Sequence, residues 1–120
     1  MAHMSADIRL REGTMIFTKE HIKLIQQGVK TETRRIWKKP HVKVGGEYRV
    51  RSSRWFGYEA DAPRIRVTAM HKEPLGSLTE DSAYREGGYK WVEFTALWRE
   101  LHGEWNPEQE VTVIRFEVVK

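Results

Sequence analysis

The chain has 120 residues, no cysteine and a formal net charge of +4. That length predicts one domain with its own core, and the absence of cysteine excludes disulfides and thiolate metal sites. No apolar run approaches the roughly 20 residues of a membrane span, and the N-terminus lacks the apolar stretch of a secretory signal, so a soluble, cytoplasmic protein is expected.

The opening MAHM followed by Ser5 resembles a vector remnant; residues 1–13 are read as that remnant with a polar lead, and residues 14–120 as the domain. From Thr14, TMIFT predicts a short strand. Thr18 is placed to cap a helix whose apolar residues are Ile22, Leu24 and Ile25, and Gly28 to end it. The segment QGVKTETRRIWKKP then runs to Pro40. On a regular strand Lys30, Glu32 and Arg34 face one way, and Thr31, Thr33 and Arg35 the other.

VKVGGEYRVRSS predicts a turn at Gly45 and Gly46, then a strand with Tyr48 and Val50 on one face and Arg49 and Arg51 on the other. RWFGYEADAP reads as a loop, and RIRVTAM as a half-buried strand with Ile65, Val67 and Ala69 inward. LTEDSAYREGG predicts a short helix capped by Thr79, with Glu80 and Asp81 in its first turn and Gly87 as its stop. In YKWVEFTALWRELHG, residues Trp91, Phe94, Leu97, Trp98 and Leu101 recur at helical spacing, and Gly103 ends the run. EVTVIRFEVVK is β-branched and predicts the strongest strand. Short helices interleaved with strands, some adjacent in sequence, imply an α+β fold.

Charge is unevenly spread: from Lys30 to Arg54 there are nine Lys or Arg residues against two acids, Glu32 and Glu47. Such a patch is the footprint of a phosphate-backbone binder, with Arg34, Lys38, Lys39, Lys43, Arg49, Arg51 and Arg54 as its contacts. Trp37, Trp55, Phe56 and Tyr58 lie in or beside it, where both core packing and stacking on unpaired bases stay open. The histidines have no metal-ligand spacing, and neither a phosphate loop nor a Ser-His-acid pattern is present, so no metal or cofactor is expected. Were Thr31, Thr33 and Arg35 to face inward they would need partners, since an unpaired buried polar group costs about 1–3 kcal/mol; a polar set on an inward face marks a pocket wall. Glu86, before a glycine pair, is a candidate partner for Lys30 or Arg35.

Gly28-x-Lys30-Thr31-x-Thr33-x-Arg35 resembles the signature of ASCH domains (activating signal cointegrator homology), of the PUA-like superfamily. The resemblance continues through KVGGEYRV, LTEDSAYREGG and FTALWRELHGEWNPEQEVTVIRFEVV, over about residues 14 to 119. It implies a small β-barrel or pseudobarrel with helices packed around it, a cleft lined by Lys30, Thr33, Arg35 and Glu86, and RNA or single-stranded nucleic acid as partner. One branch of the family, the N4-acetylcytidine amidohydrolases, is similar in using a lysine, a threonine and a glutamate, which here are Lys30, Thr33 and Glu86; Thr31 and Arg35 are then substrate-binding candidates. The chain departs from that branch at Glu32 and Arg34, where those enzymes tend to carry apolar residues. The readings carried forward are a nucleic-acid binder with a base-sized cleft, a hydrolase of N4-acylated cytidine, and a protein-interaction module. For the hydrolase, regular strand geometry sets Lys30 and Thr33 on opposite faces, a conflict that only an irregular start beside Gly28 removes. The direction of any Lys30 pKa shift is left open, because burial and Arg35 would lower it and Glu86 would raise it.

Overall fold

The structure is a computed structural model that describes residues 13–53 and 62–120. Its elements, in chain order, are β1 (Thr14–Ile16), α1 (Lys19–Gln26), β2 (Glu32–Arg35), β3 (Glu47–Arg51), β4 (Arg64–Pro74), a 3₁₀ turn (Leu75–Ser77), α2 (Glu80–Gly87), α3 (Trp91–His102) and β5 (Glu110–Val119). The five strands form one mixed sheet in the order β1-β3-β4-β5-β2, with β1 parallel to β3 and the other pairs antiparallel. This is the α+β architecture expected, with the helices packed against the sheet.

Local signals act as their chemistry predicts. The Thr18 hydroxyl accepts from His21 N at 3.1 Å and the Thr79 hydroxyl from Ser82 N at 3.1 Å, so both helix starts are capped by the expected residues. Helix α2 runs through Gly87, the expected stop, and is capped by the next residue, Gly88, whose φ of +82° is the left-handed conformation that glycine adopts without strain. Residues 111–114 of β5 are all buried, because the sheet is covered on both faces: one side packs Ile22, Ile25, Ile65 and Ile114, the other Leu75, Phe94, Trp98 and Val113.

Strand β4 corrects one expectation. Ile65 and Val67 point inward but Ala69 is exposed, because the register against β5 shifts between Val67 and Ala69. The extra residue of that bulge reverses the alternation, and Met70 packs against the core instead. Helix α3 buries Phe94 and Trp98, while Trp91 and Leu101 at the ends of its stripe are exposed. Among the described residues no helix is long and apolar enough to cross a membrane.

Candidate functional site

Helix α1 gives way to β2 through Gly28, at φ +76°, after which the amides of Val29 and Lys30 both donate to the Leu24 carbonyl. Lys30 therefore precedes the strand and is free of its alternation. Its side chain is 1% exposed, and Nζ donates to Glu86 Oε1 at 3.0 Å, to the Glu86 carbonyl at 2.8 Å and to the Glu32 carbonyl at 3.0 Å. Three acceptors match the three N–H groups of an ammonium. One of them is a carbonyl of the last turn of α2, which the helix cannot satisfy internally, so Lys30 also caps the negative end of that helix. Burial pulls the Lys30 pKa below that of an ordinary lysine, against the opposing pull of Glu86.

The second carboxylate oxygen of Glu86 accepts from Arg34 Nη1 at 3.2 Å. Arg34 also bonds Glu32 through the same nitrogen and Glu73 Oε2 through Nη2 at 2.8 Å. Glu32, fully buried, accepts in addition from Arg85 Nε at 2.9 Å and Arg115 Nε at 3.1 Å. Burial alone would raise the Glu32 carboxyl, but the hydrogen bonds from Arg85 and Arg34 outweigh it and hold the group below the usual carboxylate range. Glu73 is joined in turn to His71 Nε2 at 2.7 Å. A chain of alternating charges thus runs from Lys30 to the surface.

A cavity of about 200 Å³ opens beside this chain. Lys30, Thr33, Arg35 and Glu86 line one side, and Leu97, Trp98 and His102 of α3 line the other. The volume lies below the range of about 300–1,000 Å³ usual for drug-sized ligands, so it limits an enclosed ligand to a small one. The Arg35 guanidinium stacks over Phe17, 4.7 Å from the ring centroid, and donates to the Ile16 carbonyl at 2.8 Å, while its Nε reaches Thr33 Oγ1 at 3.4 Å. Because β1 and β2 are the two edges of the sheet, Arg35 links edge to edge across the gap beside the cavity. His21 lines the same cavity with Nε2 2.8 Å from the Tyr89 hydroxyl; burial, then the charges of Lys30 and Arg35, lower its pKa to about 4.

The expected cleft residues Lys30, Thr33, Arg35 and Glu86 are brought together, and Glu86 pairs with Lys30 while making no hydrogen bond to Arg35. Thr31 is not on this cavity: its N–H donates to the Arg85 carbonyl and it lines a separate recess with Phe116 and Val118. Arg34 is a correction. Expected on a phosphate-binding ramp, it is 5% exposed and committed to three carboxylates, because α2 packs over the face of β2 that carries Glu32 and Arg34. Lys38, Lys39, Lys43 and Arg49 are exposed and Arg51 is half-buried; Trp37 packs partly into the core and stacks on His41, ring centroids 4.6 Å apart. Arg54 and Trp55, with Phe56 and Tyr58, lie outside the described residues. The sequence reading missed His21, Glu73, Arg85 and Arg115 as site neighbours, and took Leu97 and Trp98 for core alone. The i, i+4 spacing of Trp98 and His102 was the available signal for a shared wall.

No protein-family model and no curated protein matches the chain. Solved structures do. The ASCH domain of Lactobacillus crispatus superposes with a TM-score of 0.68 at 18% identity, over 88% of this chain and 78% of that one. A DUF984 protein of Enterococcus faecalis gives 0.62 at 19%, over 87% and 74%. A serine-to-alanine mutant of the ASCH protein of Zymomonas mobilis gives 0.60 at 16%, over 92% and 73%. Likeness at these identities is a likeness of backbone path, and by that measure the chain has the ASCH-type fold.

Proposed function

We propose that the cavity is a nucleoside cleft in which the amide of an N4-acylated cytidine is hydrolysed. The observation that carries this reading is the buried Lys30–Glu86 pair at 3.0 Å, lining one small cavity with the Thr33 hydroxyl. It is the residue set that the resemblance to the amidohydrolase branch implies, and Lys30 lies outside the strand alternation that would have opposed it to Thr33.

In this reading Thr33 Oγ1 attacks the acyl carbon while neutral Lys30 takes its proton. Collapse of the tetrahedral intermediate breaks the C–N bond, Lys30 returns the proton to the leaving N4, and the acyl group stays as an ester on Thr33. Water activated by the same lysine then releases the carboxylic acid and restores the hydroxyl. Glu86, held on both oxygens by Lys30 and Arg34, orients the lysine. Arg35, whose Nε lies 3.4 Å from Thr33 Oγ1, supports a role in stabilising the negative charge that develops on the acyl oxygen next to it. Burial lowers the Lys30 pKa, which raises the fraction of neutral amine near neutrality.

The test is release of cytidine from N4-acetylcytidine by the purified chain, with Lys30→Ala and Thr33→Ala as controls. Turnover that falls by about 10²–10⁴-fold in Lys30→Ala is expected for a lost general base. Turnover that persists in Thr33→Ala overturns the mechanism, and no turnover at high protein concentration overturns the activity. A second reading, RNA binding at the cleft, is favoured by the exposed Lys38, Lys39 and Lys43 that follow β2. It requires affinity that drops steeply with salt, and charge reversal at Lys38 and Lys39 distinguishes it from recognition of a protein partner.

A further inference from the structure

Of the cations that line the cavity, two are committed to carboxylates and one is not. Lys30 is paired with Glu86, and Arg34 with Glu32, Glu73 and Glu86. Arg35 lines the same cavity, half-buried, and makes no ion pair among the described residues. Burial lowers its pKa, and Glu86, which it does not bond, pulls the other way. His21 and His102, also in the lining, are both held below the ordinary histidine pKa by burial and add no charge at neutral pH. A cation taken out of water is ordinarily matched by an anion, and this protein supplies Arg35 with none among the described residues.

The guanidinium has an open edge. Of its five N–H groups, that of Nε reaches Thr33 Oγ1 at 3.4 Å and one of Nη2 donates to the Ile16 carbonyl at 2.8 Å. Thr33 and Ile16 both line the cavity, as does Phe17, over whose ring the guanidinium lies. Both N–H groups of Nη1 and the second of Nη2 have no partner among the described residues. One N–H from each of those nitrogens runs parallel to the other, the pair that a carboxylate accepts with both oxygens. The rest of the lining includes the apolar side chains of Phe94, Leu97 and Trp98. One uncommitted positive charge matches one negative charge. A second, as on a phosphate dianion or a dicarboxylate, would meet either an apolar wall or the carboxylate of Glu86.

We infer that the cavity is a site for a small monocarboxylate, its two oxygens on the open edge of Arg35 and its apolar chain against Leu97 and Trp98. The inference does not need the hydrolysis proposed above, and it adds to it. The acid that such a hydrolysis releases is itself a ligand of the same edge, so the product inhibits the reaction that forms it.

The experiment is a titration of the full chain with butyrate, acetate, butyramide, succinate and phosphate at neutral pH, followed by NMR. Butyrate is expected to shift the Arg35 side-chain N–H and Trp98 indole signals together, and to bind more tightly than acetate, succinate or phosphate. Butyramide has the same shape without the charge and is expected to bind at least about tenfold more weakly. Arg35→Gln lowers the affinity for butyrate by about tenfold or more and leaves that for butyramide unchanged. Leu97→Ala, at a half-buried position, narrows the gap between butyrate and acetate. Equal affinity for butyrate and butyramide, tighter binding of phosphate or succinate, butyrate affinity unmoved in Arg35→Gln, or no carboxylate binding overturns the inference. Should Arg35→Gln fail to fold, the comparison of butyrate with butyramide in the parent chain decides. Release of cytidine from N4-acetylcytidine, measured with and without butyrate, keeps the two proposals apart. Hydrolysis that butyrate does not inhibit leaves the amidohydrolase reading and sinks the carboxylate site; butyrate binding at Arg35 without hydrolysis does the reverse.

Discussion

Lys30 carries two demands that pull on the same proton. As an ammonium it fills three acceptors and caps α2; as the base of the proposed hydrolysis it must give one of those bonds up. Burial moves its pKa down, so activity that needs the neutral amine rises with pH and levels off at a pKa below the ordinary lysine value of about 10.4. A pH–rate profile with no ascending limb anywhere below that ordinary value would exclude Lys30 as the base. His21 supplies the other titration. Its folded pKa of about 4 lies below the ordinary 6.5, so the unfolded chain binds more protons between those values, and stability present above pH 6.5 is lost as the pH falls toward 4. Discounted for the partial exposure of the ring, the loss is on the order of 1–2 kcal/mol. Urea midpoints between pH 7 and 4 should therefore fall less in His21→Gln than in the parent chain.

At the scale of elements, the junction of α1 and β2 governs the site. Gly28 has a positive φ, and a Cβ added there would meet nothing within 4 Å, so Gly28→Ala has no steric clash to relieve and its cost is conformational, about 1 kcal/mol. The same strain bears on the turn that delivers Lys30. For the proposed hydrolysis, Gly28→Ala is expected to lower turnover more than its modest loss of stability explains, read as kcat against denaturation midpoint; a proportionate fall in both would mean that the turn is only structural. The α2 terminus contributes in the same way from the other side, since its last turn supplies both the Glu86 carboxylate and the carbonyl that Lys30 bonds.

Across the whole molecule, the charges on Glu32 and Arg34 form an interior network where apolar residues would also fill the space. Removing one partner of such a network is expensive, because the others stay buried and uncompensated, whereas removing both is often close to neutral. Arg34→Met should destabilise the chain by about 3–5 kcal/mol, and Glu32→Leu combined with Arg34→Met by markedly less. Arg85 and Arg115 make that relief possible, since their side chains are 31% and 48% exposed and can turn to solvent once Glu32 is gone. A double variant as unstable as the single one, measured by chemical denaturation, would mean that the network is required by the fold. Much of this architecture was legible in the sequence by itself: hydrophobic period and cap chemistry gave the helices and strands, because these signals act over three or four neighbouring residues. The residues of the cleft, Lys30, Thr33, Arg35 and Glu86, could be read from their motif and its resemblance. The bulge at Val67/Ala69, the burial of Arg34 and the separation of Thr31 from the cavity were decided only by tertiary structure. Each depends on which element covers which face. Pairing of β4 with β5 shifts the register, and packing of α2 on β2 draws Arg34 out of the basic ramp into an interior salt-bridge network, and no local sequence pattern encodes either.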